Sequence, residues 1–381
     1  MALASIANST RMTYRFLGDS GLLVSKLGLG SWMDVNDKYT ADAWYEMMKL
    51  AFEHGVNFFD NAEAYGGGLA EENMGAAIKK GIAEGVWSRE DLVITTKIFY
   101  GTKEFTAPAG PNERGLSRKH IIEGTKASLK RLEQAYVDVL FCHRPDPRTP
   151  MEETVRAMNY VISQGWAFYW GTSQWSSAQI IAACEIADRL GLIRPIVEQT
   201  IYSILDRNKV DFEYVDLYKK YKLGLTTWSP LAYGALTGKY STGTPGGSRM
   251  SSDMWKSFMP DFADRIEKAE KLKPVAEKIG ISLAELALAW CVSNENVSTV
   301  MIGAKTTSQL EQNLKAIAAV DKITPDIKAE IDELVPFVPQ TPKTDGTEMF
   351  RELPRTTPVD GNVVNAVEHA RYSPFATGKV R

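Results

Sequence analysis

The sequence predicts an α/β protein built on a closed (β/α)8 barrel, and three observations support this fold. Eight short apolar or β-branched runs alternate with longer amphipathic segments along most of the chain, a pattern typical of βαβ units around a parallel sheet. Eight such units favour closure into a TIM barrel over an open, doubly wound sheet. The Gly-x-Gly-x-x-Gly turn of an open dinucleotide-binding sheet is also missing from the first strand, which reads GLGSW.

A β-hairpin precedes the barrel, because the runs YRFLG and LLVSK flank a turn at residues 19–21. The barrel strands follow as short runs rich in β-branched, aromatic and aliphatic residues. They are predicted at residues 27–32, 56–60, 92–97, 137–143, 167–173, 196–199, 225–229 and 297–303. The chain thus divides into an N-terminal extension (1–12), a barrel domain (13–336) and a C-terminal tail (337–381).

Amphipathic segments of helical length lie between the strands. Asp42 and Glu46 precede a lysine in the first segment, and Pro150 opens the fourth. Ser282 with Glu285 three residues later forms a capping box. The helices are predicted at residues 41–54, 70–83, 117–132, 151–164, 177–190, 212–221 and 282–294, with an extra helix at 265–279.

The composition is that of an ordinary globular chain and excludes several classes of function. The 381 residues carry a formal net charge of −3, so there is no electrostatic footprint for nucleic acid. Three widely spaced cysteines indicate reduced core thiols, and the four scattered histidines form no metal-binding motif. No apolar run is long enough for a membrane helix, and residues 1–12 lack the apolar region of a secretory signal. We therefore expect a cytoplasmic protein, with a transit peptide at the N-terminus as the alternative.

Polar residues end many of the predicted strands. In (β/α)8 barrels the chemistry lies at the C-terminal ends of the strands. Turn-formers and caps would suffice in a purely structural barrel, whereas acids, bases and amides indicate a polar ring around one mouth. The residues at these ends are Trp32, Asp60, Lys97, His143, Ser173, Gln174, Gln199, Ser229 and Gly303.

Four residues near this mouth form a set suited to proton transfer, and we name them the mouth cluster: Asp60, Tyr65, Lys97 and His143. A free tyrosine has a pKa near ~10, and an adjacent ammonium lowers it by stabilising the phenolate. Asp60 would orient Lys97, and Lys97 would tune Tyr65 as the proton donor. His143 would donate a second hydrogen bond to the same substrate oxygen. Each residue alone is better explained by a structural role, but the four together at successive strand ends favour catalysis.

Longer motifs carry a resemblance to a known family. The stretches FFDNAEAYG, ITTKIFYG, HRPDPRTPMEETVRAMNYVISQG, WGTSQWS and TWSPLAYGALTGKY resemble the aldo-keto reductase superfamily. The closest branch is that of the β subunits of Shaker-type voltage-gated potassium channels and their plant and fungal relatives, and the resemblance covers residues 14–336. It implies an NADPH-dependent reductase that transfers hydride to an aldehyde or ketone, with the mouth cluster as its catalytic residues and Tyr65 as the proton donor.

The resemblance also implies where the cofactor, NADPH or NADP+, would bind. Lys239 in a glycine-punctuated loop would supply charge to the pyrophosphate. Lys305 near a helix N-terminus suits a 2′-phosphate and, together with Arg249, favours NADPH over NADH. By itself Lys305 is better explained as a solvated surface lysine, which is the more common case. The contacts implied are Trp32, Asp60, Ser173, Gln199, Trp228, Ser229, Pro230, Leu231, Ala232, Gly234, Lys239, Arg249, Gly303, Lys305, Gln309, Gln312 and Asn313.

One departure from the channel-subunit pattern bears on function. Many animal channel β subunits have asparagine where His143 stands, and a titratable histidine favours a working enzyme. The alternative is a redox-sensing regulatory β subunit of a voltage-gated potassium channel, and the resemblance to such subunits implies a homotetramer. A third hypothesis is a lyase or isomerase with a Schiff base at Lys97, which Asp60 and Tyr65 oppose by keeping the amine charged.

Two loops and the tail remain open to more than one interpretation. The loops at 102–115 and 241–261, the latter with Trp255, Phe258 and Met259, are predicted to frame the substrate pocket and to favour an apolar aldehyde or ketone. Packing against the cofactor or a neighbouring subunit is the alternative. The Thr- and Pro-rich tail at 337–381 could be disordered, an arm along a neighbouring subunit or a flap over the mouth.

Overall fold

The computed structural model describes residues 12–32, 39–103, 107–241, 243–246, 248–251, 253 and 259–340. The strands are β1 (Tyr14–Phe16), β2 (Leu23–Ser25), β3 (Leu27–Gly30), β4 (Phe58–Asp60), β5 (Val93–Ile98), β6 (Val137–Cys142), β7 (Ala167–Ser173), β8 (Val197–Ile201), β9 (Gly224–Trp228) and β10 (Val297–Ile302). The α-helices are α1 (Ala41–Glu53), α2 (Leu69–Ala83), α3 (Arg118–Leu132), α4 (Met151–Ser163), α5 (Ser177–Leu190), α6 (Val215–Tyr221), α7 (Phe262–Lys278), α8 (Leu283–Val292), α9 (Thr307–Leu314) and α10 (Pro325–Leu334).

Strands β3 to β10 form a closed parallel barrel, which confirms the predicted (β/α)8 fold. Neighbouring strands pair in sequence order, and β10 pairs with both β9 and β3 to close the ring. All eight C-terminal strand ends therefore lie at one face. Alternate residues point into the barrel and towards the helices. In β5, Thr95 and Lys97 contact Asp60 inside the barrel, while Thr96 contacts Glu71 of α2.

The predicted hairpin is present as the antiparallel pair β1–β2, and it closes the amino end of the barrel. Leu17 and Val24 are fully buried in one apolar cluster with residues that begin barrel strands, such as Phe58. Gly18 has a φ of +59°, and a Cβ there would lie 2.0 Å from the carbonyl oxygen of Ile196. The hairpin turn therefore packs so closely on the barrel that only glycine fits.

The main hydrophobic core lies between the barrel and the helices that surround it. Helix α8 is buried at eight of its ten positions, and its predicted capping box is present, with Ser282 Oγ accepting from the Glu285 N–H at 3.2 Å. All three cysteines, Cys142, Cys184 and Cys291, are buried in this layer. Burial raises the pKa of the Cys184 thiol to about 12.

The helical segments differ from the predictions at their ends. The helix predicted at 212–221 begins only at Val215, because the preceding residues Asn208–Glu213 form a π-helix. The extra helix predicted at 265–279 begins earlier, at Phe262. Helix α10 was not predicted, although Thr324 caps it by accepting a hydrogen bond from the Ile327 N–H and Pro325 occupies its first turn.

The chain divides into two units, Met1–Phe337, which contains the barrel, and Val338–Arg381. Residues 1–11 and 341–381 lie outside the described residues, so the hypotheses on the N-terminal extension and the tail stay predictions. None of the helices that the structure describes has the length and apolar character needed to cross a bilayer.

Candidate active site

Three members of the mouth cluster form a chain of hydrogen bonds at the C-terminal end of the barrel. Lys97 is fully buried in β5, and its Nζ lies 2.5 Å from Oδ2 of Asp60, the last residue of β4. The same ammonium donates to the hydroxyl oxygen of Tyr65 at 3.0 Å and to the carbonyl oxygen of Asn61 at 2.7 Å. The three N–H donors of Lys97 are thus all used, which fixes the ammonium between the carboxylate and the phenol.

The carboxylate of Asp60 is held by two further donors. Thr95 Oγ1 and Gln199 Nε2 donate to Oδ1 at 2.7 Å and 3.1 Å. Thr95 precedes Lys97 by two residues, so both side chains enter the barrel from β5. Gln199, which the sequence assigns only to the cofactor, therefore also belongs to the network around the carboxylate. Sequence reasoning missed Thr95 altogether.

Three consecutive glycines turn the chain so that Tyr65 lies over the barrel end. In the 3-10 turn Tyr65–Gly68, the φ angles of Gly66, Gly67 and Gly68 are +59°, +66° and +101°. This left-handed region is accessible to glycine without steric cost. The turn leaves the phenol ring 4.6 Å from the Lys97 ammonium, measured to the ring centroid.

A buried carboxylate that the sequence patterns did not single out joins two loops of the mouth. Glu63 is 2% exposed, and its Oε1 accepts from the N–H groups of Phe99 at 2.7 Å and Gly101 at 2.8 Å. The same oxygen lies 3.1 Å from Nε2 of His120. Glu63 thereby ties the loop that carries Tyr65 to the loop after β5. Its only signal in the sequence was an acid within FFDNAEAYG, which does not reveal such distant partners.

The electrostatics of the mouth keep Lys97 charged and Tyr65 protonated. Burial alone would lower the pKa of Lys97, but Asp60 and Tyr65 outweigh burial and raise it. Burial raises the pKa of Tyr65, and Lys97 opposes this rise without cancelling it. The lysine thus acts on the phenol in the expected direction, but the net pKa of Tyr65 is raised because the phenol is desolvated. A charged Lys97 is also not the neutral amine that a Schiff-base mechanism needs.

His143 lies on the other side of the cluster as a neutral imidazole. Burial, together with the charges of Lys97 and Arg144, lowers its pKa well below the ordinary value. Its ring lies edge-on to the rings of Tyr65 and Tyr100, with centroid distances of 5.7 Å and 5.0 Å. Its Nδ1 is buried without a hydrogen-bond partner among the residues that the structure describes. The imidazole therefore keeps hydrogen-bonding capacity for a bound molecule.

The loop after β9 contains the predicted contacts from Ser229 to Lys239 in an unusual backbone conformation. The φ angles of Ser229, Ala232 and Tyr233 are +55°, +46° and +57°, a region that non-glycine residues adopt mainly under local constraint. A Cβ at Gly234 would lie 3.3 Å from Nζ of Lys239, so the bare glycine lets the ammonium approach the backbone. This combination of sharp turn and cation suits a phosphate group. Trp228, Pro230 and Leu231 lie at the start of the same loop.

The predicted contacts after β10 partly bind one another. Gln309 Oε1 accepts from the N–H of Lys305 at 2.8 Å, and Asn313 Nδ2 donates to the carbonyl oxygen of Gly303 at 3.3 Å. Lys305, two residues before helix α9, and Gln312, within that helix, are both exposed. The structure thus places this group together, with Gln309 and Asn313 shaping the turn that presents the lysine.

The remaining predicted positions have different outcomes. Trp32, two residues after the end of β3, is 46% exposed. The backbone of Arg249 lies in the short turn Arg249–Ser251, but its side chain, like Trp255 and Phe258, is outside the described part of the chain. Met259 is 6% exposed within the main hydrophobic core. The prediction that Met259 frames the substrate pocket is therefore wrong, because this apolar side chain is removed from water instead.

Comparison with known proteins identifies the family. A model of the Aldo/keto reductase family matches residues 26–336. The chain is 50% identical over 336 residues to an Arabidopsis thaliana protein named "Probable voltage-gated potassium channel subunit beta", covering 87% of this chain and 99% of that protein. A protein of the same name from Oryza sativa subsp. japonica is 47% identical over 343 residues, 89% of this chain and 100% of that protein. The chain therefore belongs to the aldo/keto reductase family.

Proposed function

We propose that this protein is an NADPH-dependent reductase of aldehydes or ketones. Its family makes it an oxidoreductase, and the finer proposal is carried by the buried hydrogen-bond chain from Asp60 through Lys97 to Tyr65. A buried ammonium beside a phenol stabilises the phenolate that forms when the proton leaves. The arrangement therefore suits the delivery of one proton at one point of the barrel mouth.

The residues around this point fit a nicotinamide dinucleotide. Ser173, the last residue of β7, and Gln199, which pairs with it on β8, would hold the nicotinamide. Nδ1 of His143, which has no hydrogen-bond partner among the described residues, offers a further polar contact. Lys239 against the turn after β9 would hold the pyrophosphate. Lys305, beside the N-terminus of α9, would favour the 2′-phosphate of NADPH. When bound, this cofactor supplies a hydride to the carbonyl carbon.

The protein's own residues handle the proton. Tyr65 donates its hydroxyl proton to the carbonyl oxygen, and Lys97, 3.0 Å away, stabilises the phenolate that remains. Asp60 offsets the charge of the lysine, and its two further donors keep the carboxylate in place. His143 is neutral, so it donates a hydrogen bond to the same oxygen without adding a second charge.

Single-turnover oxidation of NADPH with an aromatic aldehyde tests this proposal. Tyr65→Phe should slow hydride transfer by ~10² or more, because the proton donor is lost, while NADPH still quenches protein fluorescence as in the wild type. Tyr218→Phe is the matched control, since its hydroxyl donates to the carbonyl oxygen of Val210 in the helical layer. Equal rates in wild type and Tyr65→Phe, or no oxidation in either, would contradict the proposal.

A second function is favoured by the names of two relatives. Both are called probable voltage-gated potassium channel subunit beta, and the match spans 99% and 100% of their lengths. The alternative proposal is a cytoplasmic, redox-sensing β subunit that binds such a channel as a homotetramer. It predicts copurification with the cytoplasmic domain of a channel and a sedimentation mass of four 42.3 kDa chains. A monomer that does not bind the channel would rule it out.

A further inference from the structure

Arg144 follows His143 at the end of β6, and its guanidinium lies beside the mouth cluster. Nη1 donates to the carbonyl oxygen of His143 at 2.5 Å and to Oγ of Ser173 at 3.3 Å. The guanidinium carbon lies 5.8 Å from the ring centroid of Tyr100. Its charge adds to burial in lowering the pKa of His143, and it opposes the rise that burial causes in the pKa of Tyr65. The guanidinium is therefore within electrostatic reach of the reacting atoms.

Arg144 differs from most of the other partly buried arginines in its partners. Four of those arginines have a carboxylate oxygen at 2.6 to 2.8 Å, in the pairs Arg89 with Asp138, Arg131 with Glu71, Arg207 with Asp211 and Arg265 with Asp206. Both partners of Arg144 are neutral oxygens. Among the residues that the structure describes, no carboxylate lies within ion-pair distance of Arg144, and its Nε and Nη2 donate no hydrogen bond. The edge of the guanidinium formed by the Nε and Nη2 N–H groups can therefore donate two hydrogen bonds to another molecule.

The neighbouring charges do not compensate this guanidinium. Lys97 and Asp60 neutralise one another in their ion pair, and His143 is held neutral. Asp146, two residues further along, accepts three hydrogen bonds from other groups. The three charged groups that act on Tyr65, namely Lys97, Asp60 and Arg144, therefore carry one net positive charge. An unpaired charge that is partly removed from water favours binding of an anion.

We propose that Arg144 binds a carboxylate carried by the carbonyl substrate, so that the preferred substrates are oxo acids rather than neutral aldehydes or ketones. This inference rests on the reductase function proposed above. A guanidinium presents parallel N–H donors that match the two oxygens of a carboxylate.

The test compares two aldehydes that differ in charge, 4-carboxybenzaldehyde and its methyl ester. For each protein, kcat/KM is measured for both aldehydes in the presence of NADPH. The kcat/KM for the acid is divided by the kcat/KM for the ester, so that general effects of a substitution on the enzyme cancel. Loss of a charge-assisted hydrogen bond corresponds to roughly 10- to 100-fold, and Arg144→Gln should lower the ratio by this factor. Arg144→Lys keeps the charge but not the planar fork, and should retain part of the preference.

Arg148→Gln is the matched control, because Arg148 is exposed on the same loop and the change removes the same charge. Its ratio should equal that of the wild type. A wild-type ratio near unity, or one that Arg144→Gln leaves unchanged, would overturn the proposal, while reduction of the ester would show that the reductase function stands. An equal fall in Arg148→Gln would also overturn it, since the cause would then be the general field of the loop.

Absence of turnover with both aldehydes in the wild type would instead mean that the proposed reductase function fails. The binding role of Arg144 would then be decided by calorimetry with 4-(hydroxymethyl)benzoate and 4-(hydroxymethyl)benzamide. Binding of the benzoate but not the benzamide, lost in Arg144→Gln, supports the carboxylate site. Equal binding of the two compounds, or no binding of either, overturns it.

Discussion

Replacing Asp60 by asparagine isolates the energetic role of the buried ion pair. Asp60 is 4% exposed, Lys97 is fully buried, and the two charged atoms are 2.5 Å apart. Asp60→Asn leaves a nearly isosteric amide beside an ammonium whose charge is no longer balanced. Removal of one partner from a buried pair costs about 3–5 kcal/mol. We expect the free energy of unfolding at neutral pH to fall by this amount.

The assay is urea unfolding followed by tryptophan fluorescence, with the midpoint and slope compared between proteins. Asp42→Asn is the matched control, because Asp42 pairs with Lys80 at 2.9 Å while the two side chains are 85% and 40% exposed. An exposed pair contributes about 1 kcal/mol or less. If Asp60→Asn costs no more than Asp42→Asn, burial does not make this ion pair important, and the reasoning is refuted.

The cost of Asp60→Asn should also depend on pH. In the wild type, Asp60 and Tyr65 outweigh burial and raise the pKa of Lys97, so its stabilisation is present below the unfolded pKa of ~10.4 and lost as pH rises through the folded pKa. In the variant the opposing carboxylate is gone, and burial lowers the pKa of Lys97 below the unfolded value. The deficit in stability should therefore shrink as pH rises from about 7 to about 10.

Three further substitutions probe the mouth. Thr95→Val removes the 2.7 Å hydrogen bond to Asp60 and should lower kcat about tenfold. Thr95→Ser keeps the hydroxyl and should restore kcat. Equal kcat in the wild type, Thr95→Val and Thr95→Ser would exclude a positioning role for Thr95. His143→Asn should lower turnover. The pH–rate profile of the wild type should show no inflection from this imidazole between about pH 6 and 8, because the pKa of His143 is lowered well below that range. Lys305→Glu should raise KM at least about tenfold more for NADPH than for NADH, and an equal rise would exclude contact with the 2′-phosphate.

The barrel was predictable because each strand is a short apolar run with a polar or turn residue at or near its C-terminal end. Closure of the sheet then brings the strand ends to one face whatever their separation in sequence. This topological rule is why Asp60, Lys97 and His143 could be grouped before any distance was known, and Tyr65 with them as a residue of the loop after β4.

Contacts that depend on register and loop conformation were beyond the sequence. The hydrogen bond from Gln199 to Asp60 joins residues 139 positions apart across the barrel, and nothing local marks it. The partners of Glu63 are backbone N–H groups, which carry no sequence identity. Met259 was misplaced because an apolar residue in a long loop has the same pattern whether it lines a pocket or packs into the core.

The burial of all three cysteines has a chemical consequence for a protein proposed to meet aldehydes, which are electrophiles. Burial raises the pKa of the thiols of Cys142, Cys184 and Cys291, and the thiolate is the reactive form. The native fold therefore withholds all three thiols of the chain from covalent attack. Alkylation of these thiols by iodoacetamide then requires the structure to open, so the labelling of each cysteine reports how often the core around it opens.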